Sequence, residues 1–393
     1  MSTVTGMGTT YNLPNYAGPL FQITPSDTPL LSAIGGLTGG KSVTSVAWEW
    51  QGEDLRPAGQ NVALEGADAP TAQERARSNV SNVVQIHHEA VSVSYTKSAA
   101  TGQKSGVNND QANPVLSEVD HQTQNAIKTV ARDVEWSFIN GLYQAPTDNT
   151  TPRKSRGLFA AITTNLTANE TSTVTGLSAS TDTITETSTG LSNGDKIVFT
   201  DVGASTAITF GRTYYVVNKS TNAFKVAATS GGSAITIGTA TVSYRKPWTT
   251  TLGVPHINTL VQMAYDNGGL QEGDVAVLLT NTTQKLALST AFASAYGKYV
   301  ESSRNIAGVN VKQIETDVCT LNVMLNRHVP QDALAVVSLE QLAPVFLEEP
   351  GKGHFYAEPL AKTGASNRVQ IYGEIGLEYG NEKSHAALTG LAV

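Results

Sequence analysis

The residues with the strongest claim to chemistry sit in VVQIHHEAVSVSYT, Val83 to Thr96, where His87, His88 and Glu89 follow one another inside a run of β-formers. Imidazole and carboxylate both bind zinc, but the ligands must converge on one ion. In a strand, successive side chains point to opposite faces. His87 therefore falls with Gln85, Glu89 and Val91, and His88 with Ile86 and Ala90. The helical zinc signature sets two histidines four apart on one face; here they are adjacent. Two diverging imidazoles are expected, and no metal site.

Other short strings meet the same fate. GLSNG, Gly190 to Gly194, has the G-x-S-x-G spacing of a nucleophile elbow, which needs a strand before it and a helix after it. A Ser/Thr tract precedes it and DKIVF follows, so Ser192 reads as a turn residue. GKGHF, Gly351 to Phe355, lacks the upstream glycine spacing and the Ser/Thr of a phosphate loop. YDNGGLQEGD has no calcium-loop spacing, and its Gly268 and Gly269 read as helix terminators. Glu118 and His121 stand three apart, a motif that binds metal only when a partner helix repeats it. Cys319 is the only cysteine, which excludes an internal disulfide and a cysteine-based metal site and suits a reducing cytoplasm. No catalytic, cofactor-binding or metal-binding residue is expected, and the chain does not read as an enzyme.

The formal net charge of −7 argues against gripping nucleic acid through a basic surface. The opening MSTVTGMGTTYNLPNYAG has neither a basic nor an apolar leader region, so no signal peptide is expected. No apolar run approaches the ~20 residues needed to span a bilayer. A chain of 393 residues has room for two or three domains.

The elements read as α+β. Residues 1–40 form an arm in which Pro14, Pro19, Pro25 and Pro29 forbid a long helix; TPLLSAIGG fits one short helix with Thr28 as cap, Pro29 first and Gly35 just past the end. The arm cannot bury its own Tyr11, Tyr16, Leu20 and Phe21, which must pack elsewhere. Residues 41–97 read as two long strands joined by a polar tip, with Val46, Trp48 and Trp50 on one face. A tip of that length is uncommon unless it is functional. From Asn113 to about Tyr143 the period becomes helical, with Asn113 as cap and an apolar stripe of Leu116, Val119, Thr123, Ile127, Val130, Val134 and Phe138. After a turn-rich connector, 146–164, the composition shifts to Ser and Thr, and short strands separated by Gly, Ser and Asn indicate an independent all-β module. Mixed α/β patterning resumes after Pro247, and RVQIYGEIGLEYGNEKSHAALTGLAV reads as strand throughout. The β-module thus interrupts one domain.

Taken in order, these pieces resemble the major capsid proteins of tailed bacteriophages, with the Hong Kong 97-type fold. PNYAGPLFQITPSDTPLLSAIGG is similar to that family's N-terminal arm, and WEWQGEDLRPAGQNVALEGA with ARSNVSNVVQI to its extended loop. YDNGG, NVMLNRHVP and EPLAKTGASNRVQIYGEIGLEYGNEKSHAALTGL are similar to later core segments. The resemblance implies an arm over 1–40, an extended loop and the start of a peripheral domain over 41–112, and a spine helix over 113–145. After the connector at 146–164 it implies a β-sandwich-like insertion over 165–246, then the axial domain and closing peripheral strands over 247–393. It implies hexamers and pentamers of this chain closing into an icosahedral shell around double-stranded DNA, which is touched weakly and non-specifically. It further implies no cofactor, no membrane, assembly in the bacterial cytoplasm, and portal, scaffolding or decoration proteins as further partners.

Candidate inter-subunit contacts are Tyr16, Phe21, Trp48, Trp50, Arg56, Glu65, Arg75 and Arg77. The two tryptophans either anchor the loop on a neighbour or pack under their own hairpin. The arginines, with Glu53, Asp54, Glu65 and Glu74, can form ion pairs between subunits. Two departures from the type phage stand out. Ser42 to Thr96 contains no lysine, so no covalent lysine–asparagine mesh is expected. No charged helical segment precedes the arm, so a fused scaffold is not expected. The other reading is a tail, baseplate or surface protein whose β-domain recognises carbohydrate.

Overall fold

The computed structural model describes residues 23–99, 117–296 and 312–393, apart from positions 54, 57, 72–73, 76, 149, 169–170, 175, 179–180, 187–188, 239–240, 271–274 and 363.

The helical period before Gly141 becomes one helix, Glu118–Asn140. Ser117 Oγ accepts the N–H of Asp120 at 3.4 Å. Glu118 and Asp120 set negative charge against the positive end of the helix dipole. The sequence reading started this helix at Asn113. The backbone of Ser117 is extended, so the helix begins at Glu118; Asn113 to Leu116 lie outside the described residues. At 1.5 Å per residue it is about 35 Å long, shorter than the roughly 45 Å expected. Burial is concentrated in its second half: Val130, Val134, Phe138 and Ile139 are enclosed, while Ile127 is exposed. The reason is what surrounds it, because Leu158, Ile162, Phe346 and Ile375 gather around the later turns. The helix stops where Gly141 meets Gly157. A Cβ at Gly141 would lie 2.4 Å from the Ser155 carbonyl oxygen, so only glycine lets the connector double back there.

Among the described residues, three sheets and a hairpin accompany this helix. In the first sheet Ser366–Glu378 is the central ribbon, pairing antiparallel with Gln85–Ser94, Phe355–Pro359 and Ala343–Leu347, and Lys41–Val43 runs parallel to the last. The second sheet orders Gln313–Glu315, Thr320–Leu325, Val275–Thr280, Ala333–Val337, Ala386–Thr389 and Leu166–Thr167. All five residues of Ala333–Val337 are buried, as expected of a strand covered on both faces. Helices Val254–Asp266 and Thr282–Tyr296 accompany this sheet. The C-terminal stretch is not strand throughout: a 3₁₀ turn, Glu382–Ser384, breaks it, and the chain passes from the first sheet to the second.

Thr171 to Arg245 supplies seven strands joined only by antiparallel pairing, with a core of its own that includes Phe199, Tyr214, Phe224 and Tyr244. Leu166–Thr167 belongs instead to the second sheet, beside Ala386–Thr389. The seven-stranded sheet is fixed to the rest of the chain. Phe210 stacks edge-on against Trp136 of the long helix, with centroids 5.5 Å apart, and Arg245 lies 3.1 Å from the buried carboxylate of Asp332.

Candidate functional site

The short helix Pro29–Ile34 forms as its sequence predicts, with Thr28 as cap and Gly35 in the left-handed region at φ 128°. Thr28 makes no side-chain cap bond. The orphan N–H groups of Leu30 and Leu31 are taken instead by Glu135 of the long helix, at 2.9 and 2.6 Å. Burial pushes the Glu135 carboxyl up, opposed by those two N–H groups and by the Asn326 amide. Leu30 and Leu31 are fully enclosed in the main core, so the root of the arm is docked on the body. Tyr16 and Phe21 lie outside the described residues.

Ala47–Glu53 and Arg77–Val83 pair antiparallel as the hairpin, in a register that places Trp48 opposite Asn82 and Trp50 opposite Val80. Trp48 is buried with Val84 and Val345, its ring lying over Gly376. Trp50 Nε1 donates to the Gly380 carbonyl at 2.8 Å, and its ring meets Tyr379 edge-on at 4.9 Å. Both indoles thus pack inside their own subunit. Asn82, fully buried opposite Trp48, donates to the carbonyl of Leu377 and accepts the N–H of Arg156, tying hairpin, connector and central ribbon together. Arg77 stays within the hairpin, 3.9 Å from Glu53 and 3.3 Å from Gln51.

Beyond the root, the hairpin has no regular structure in its described part. Arg56, Glu65 and Arg75 are exposed there. So are Leu55, Val62 and Leu64, at 85 %, 79 % and 85 %. The sequence reading credited this tip with little apolar surface and passed over these three; their isolation in a charged, Gly- and Ala-rich loop was the available signal. A cleft of about 520 Å³ opens between hairpin root and body, lined by Trp50, Val80, Arg156, Tyr379 and Glu382 among others.

The candidate chemistry resolves into structure. His87 is buried and His88 exposed, on opposite faces of the strand. Burial drops the His87 imidazole to about 4; His88 packs on Tyr372 with centroids 5.9 Å apart. Ser192 donates its backbone N–H to Asp195 in a turn. His121 pairs with Asn125, and Glu118 with Gln122. His354 stacks flat on Phe346 at 4.0 Å. Gly268, at φ 81°, follows the end of its helix. Among the described residues no three His, Cys, Asp or Glu side chains are grouped to hold a metal ion. Sequence reasoning missed the two buried carboxylates, Glu135 and Asp332, because neither belongs to a local motif.

The family profile described as SU10 major capsid protein matches residues 3–392. No curated protein sequence matches the chain. Among solved structures it is similar to the capsid asymmetric unit of cyanophage A-1(L), with TM-score 0.52 and 12 % identity over 96 % of this chain and 97 % of that one. It is likewise similar to the capsid of cyanophage P-SCSP1u, with TM-score 0.50 and 12 % identity over 98 % and 95 %. At such identities the likeness is one of fold, and the fold is the Hong Kong 97-type capsid fold in a mixed α+β chain. The profile match over almost the whole length makes this chain a member of the SU10 major capsid protein family, a non-enzymatic phage protein that self-assembles into the icosahedral shell of the virion.

Proposed function

We propose that the shell is built from hexamers and pentamers in which each hairpin tip is laid on a neighbouring copy, with the arm over 1–40 reaching beside it. The observation carrying this reading is the contrast along the hairpin: Trp48 and Trp50 pin its root, while Leu55, Val62 and Leu64 stand uncovered at its tip. Three apolar side chains held at the end of a fixed projection are suited to a heterologous contact, the kind that closes into rings. Arg56, Glu65 and Arg75 form the polar rim of that contact, where single ion pairs contribute ~0–1 kcal/mol. The peripheral domain is the first sheet with its hairpin, the spine is the long helix, and the axial domain is the second sheet with its two helices.

The stretch expected as an insertion over 165–246 is an inserted β-domain whose strands run from Thr171 to Arg245, a reading supported by the separate core and the purely antiparallel pairing of its sheet. It faces outward, where it braces neighbouring capsomers or contacts the host. Double-stranded DNA is enclosed through weak contacts, and a separate scaffolding protein or none directs assembly. The test is to replace Leu55, Val62 and Leu64 together by Asp and follow assembly by electron microscopy and sedimentation. Folded subunits that no longer close shells support the reading; shells of normal yield and stability refute it. Deleting 168–245 and recovering stable, infectious particles removes the bracing role.

A further inference from the structure

The turn Asn326–Asp332, between strands Thr320–Leu325 and Ala333–Val337, holds two distant parts of the chain by its two ends. Its first half grips the arm root. Asn326 Nδ2 donates to Glu135 Oε1 at 2.5 Å, the same oxygen that accepts the Leu30 N–H. Arg327 Nε lies 2.8 Å from Asp27 Oδ1, and the His328 carbonyl accepts from Asn140 of the long helix at 2.7 Å. Its second half grips the seven-stranded sheet. Gln331 donates its N–H to the Gly211 carbonyl at 2.8 Å. Gln331 Oε1 accepts both the N–H and the hydroxyl of Thr213, at 2.9 and 2.8 Å. Asp332 is paired with Arg245 at 3.1 Å.

The turn has little room to yield. Asn326 is 1 % and Asp332 0 % exposed. Pro330 packs so closely on Gly211 that a Cβ there would lie 2.9 Å from the Pro330 Cα. The Asn281 amide holds the Pro330 carbonyl, and the Gln284 amide holds that of Gln331 at 2.8 Å. A shift at one end must therefore strip partners from buried polar groups at the other, which costs more than a simple loss of contact.

We propose that this turn couples the two attachments, so that docking of the arm-root helix and docking of the seven-stranded sheet stabilise each other. Coupling of this kind is reciprocal. It is independent of how subunits associate, and its failure would leave the hairpin reading untouched.

Hydrogen exchange on the unassembled full-length chain tests it in both directions. Gln331→Ala is expected to speed exchange at the Leu30 and Leu31 amides about tenfold, and Leu31→Ala to do the same at the Thr213 amide, within the range seen for residues sharing one network. Gln331→Glu, which keeps the acceptor for Thr213, is expected to leave Leu30 and Leu31 protected. The amides of Gln370 and Ile371, flanked by paired strands on both sides in the first sheet, serve as the reference. The proposal is overturned if each substitution loosens only its own side. It is equally overturned if Gln370 and Ile371 loosen as much as the distant site, since that is general destabilisation.

Discussion

Gly376 is where the hairpin root can be dislodged by a single methyl group. A Cβ there would lie 2.3 Å from Trp48 Cη2, 2.8 Å from Cζ3 and 2.9 Å from the Val83 carbonyl oxygen. The position is extended backbone within Ser366–Glu378, so the substitution acts through space alone. Ordinary contact begins near 3.4 Å, so the indole must retreat by about 1 Å or the strand must bend. Overpacking of this kind costs ~1–3 kcal/mol. Displacing the root also strains the Trp50–Gly380 hydrogen bond, worth about 1 kcal/mol. Trp48→Ala, which empties the site, is expected to cost ~3–5 kcal/mol. The two substitutions should not add: with Trp48 already Ala the indole clash is gone, and Gly376→Ala should cost clearly less than in wild type, only the 2.9 Å approach to the Val83 carbonyl remaining. The assay is native-state hydrogen exchange at amides paired between Ala47–Glu53 and Arg77–Val83, in wild type, both single variants and the double variant. An equal cost of Gly376→Ala in both backgrounds would sink the argument, because the clash with the indole would then not be its origin.

Further outcomes follow from buried charge and from composition. His385 uses both ring nitrogens, one accepting from the Ser338 N–H and the other facing the Tyr379 carbonyl, and burial lowers its imidazole to about 4. Between about 6.5 and 4 the unfolded chain holds the proton that the fold refuses, so stability falls as pH falls through that window, by about 3 kcal/mol. His87 acts in the same direction, and the raised carboxyls of Glu135 and Asp332 oppose it. The difference between wild type and His385→Gln in urea midpoints measured across pH isolates the His385 share, and parallel pH profiles would refute it. Asp332→Ala leaves the Arg245 guanidinium buried without its partner and is expected to cost ~3–5 kcal/mol by urea unfolding, much of it recovered in Arg245→Met/Asp332→Leu; a loss below ~0.5 kcal/mol would contradict this. Because Ser42 to Thr96 holds no lysine, assembled particles should dissolve to single chains on a denaturing gel, and ladders of linked subunits would count against that expectation.

Where local pattern decides structure, the sequence was readable. Alternation placed Trp48 and Trp50 on one face and sent His87 and His88 to opposite sides. Pro29 and Gly35 bracketed the first helix, and the change to short β-runs marked the seven-stranded sheet. What escaped was set by tertiary partners. Ser117, not Asn113, caps the long helix. Ile127 is apolar and on the right period, yet the core does not reach it. Glu135 belongs to no local motif, and its donors, Leu30 and Leu31, lie more than a hundred residues earlier. Of the contact residues chosen from sequence, Arg56, Glu65 and Arg75 lie exposed at the tip, while Trp48, Trp50 and Arg77 find partners within the chain.

Only Val84 separates the hairpin strand Arg77–Val83 from Gln85–Ser94, which lies against the central ribbon from Ser366 to Ile375. Tension applied at the tip would run lengthwise down this continuous stretch. It would meet that ladder in shear, where many rungs must slip together, and not in peel, where they open one by one. The hairpin is thus rooted in the longest strand pairing among the described residues.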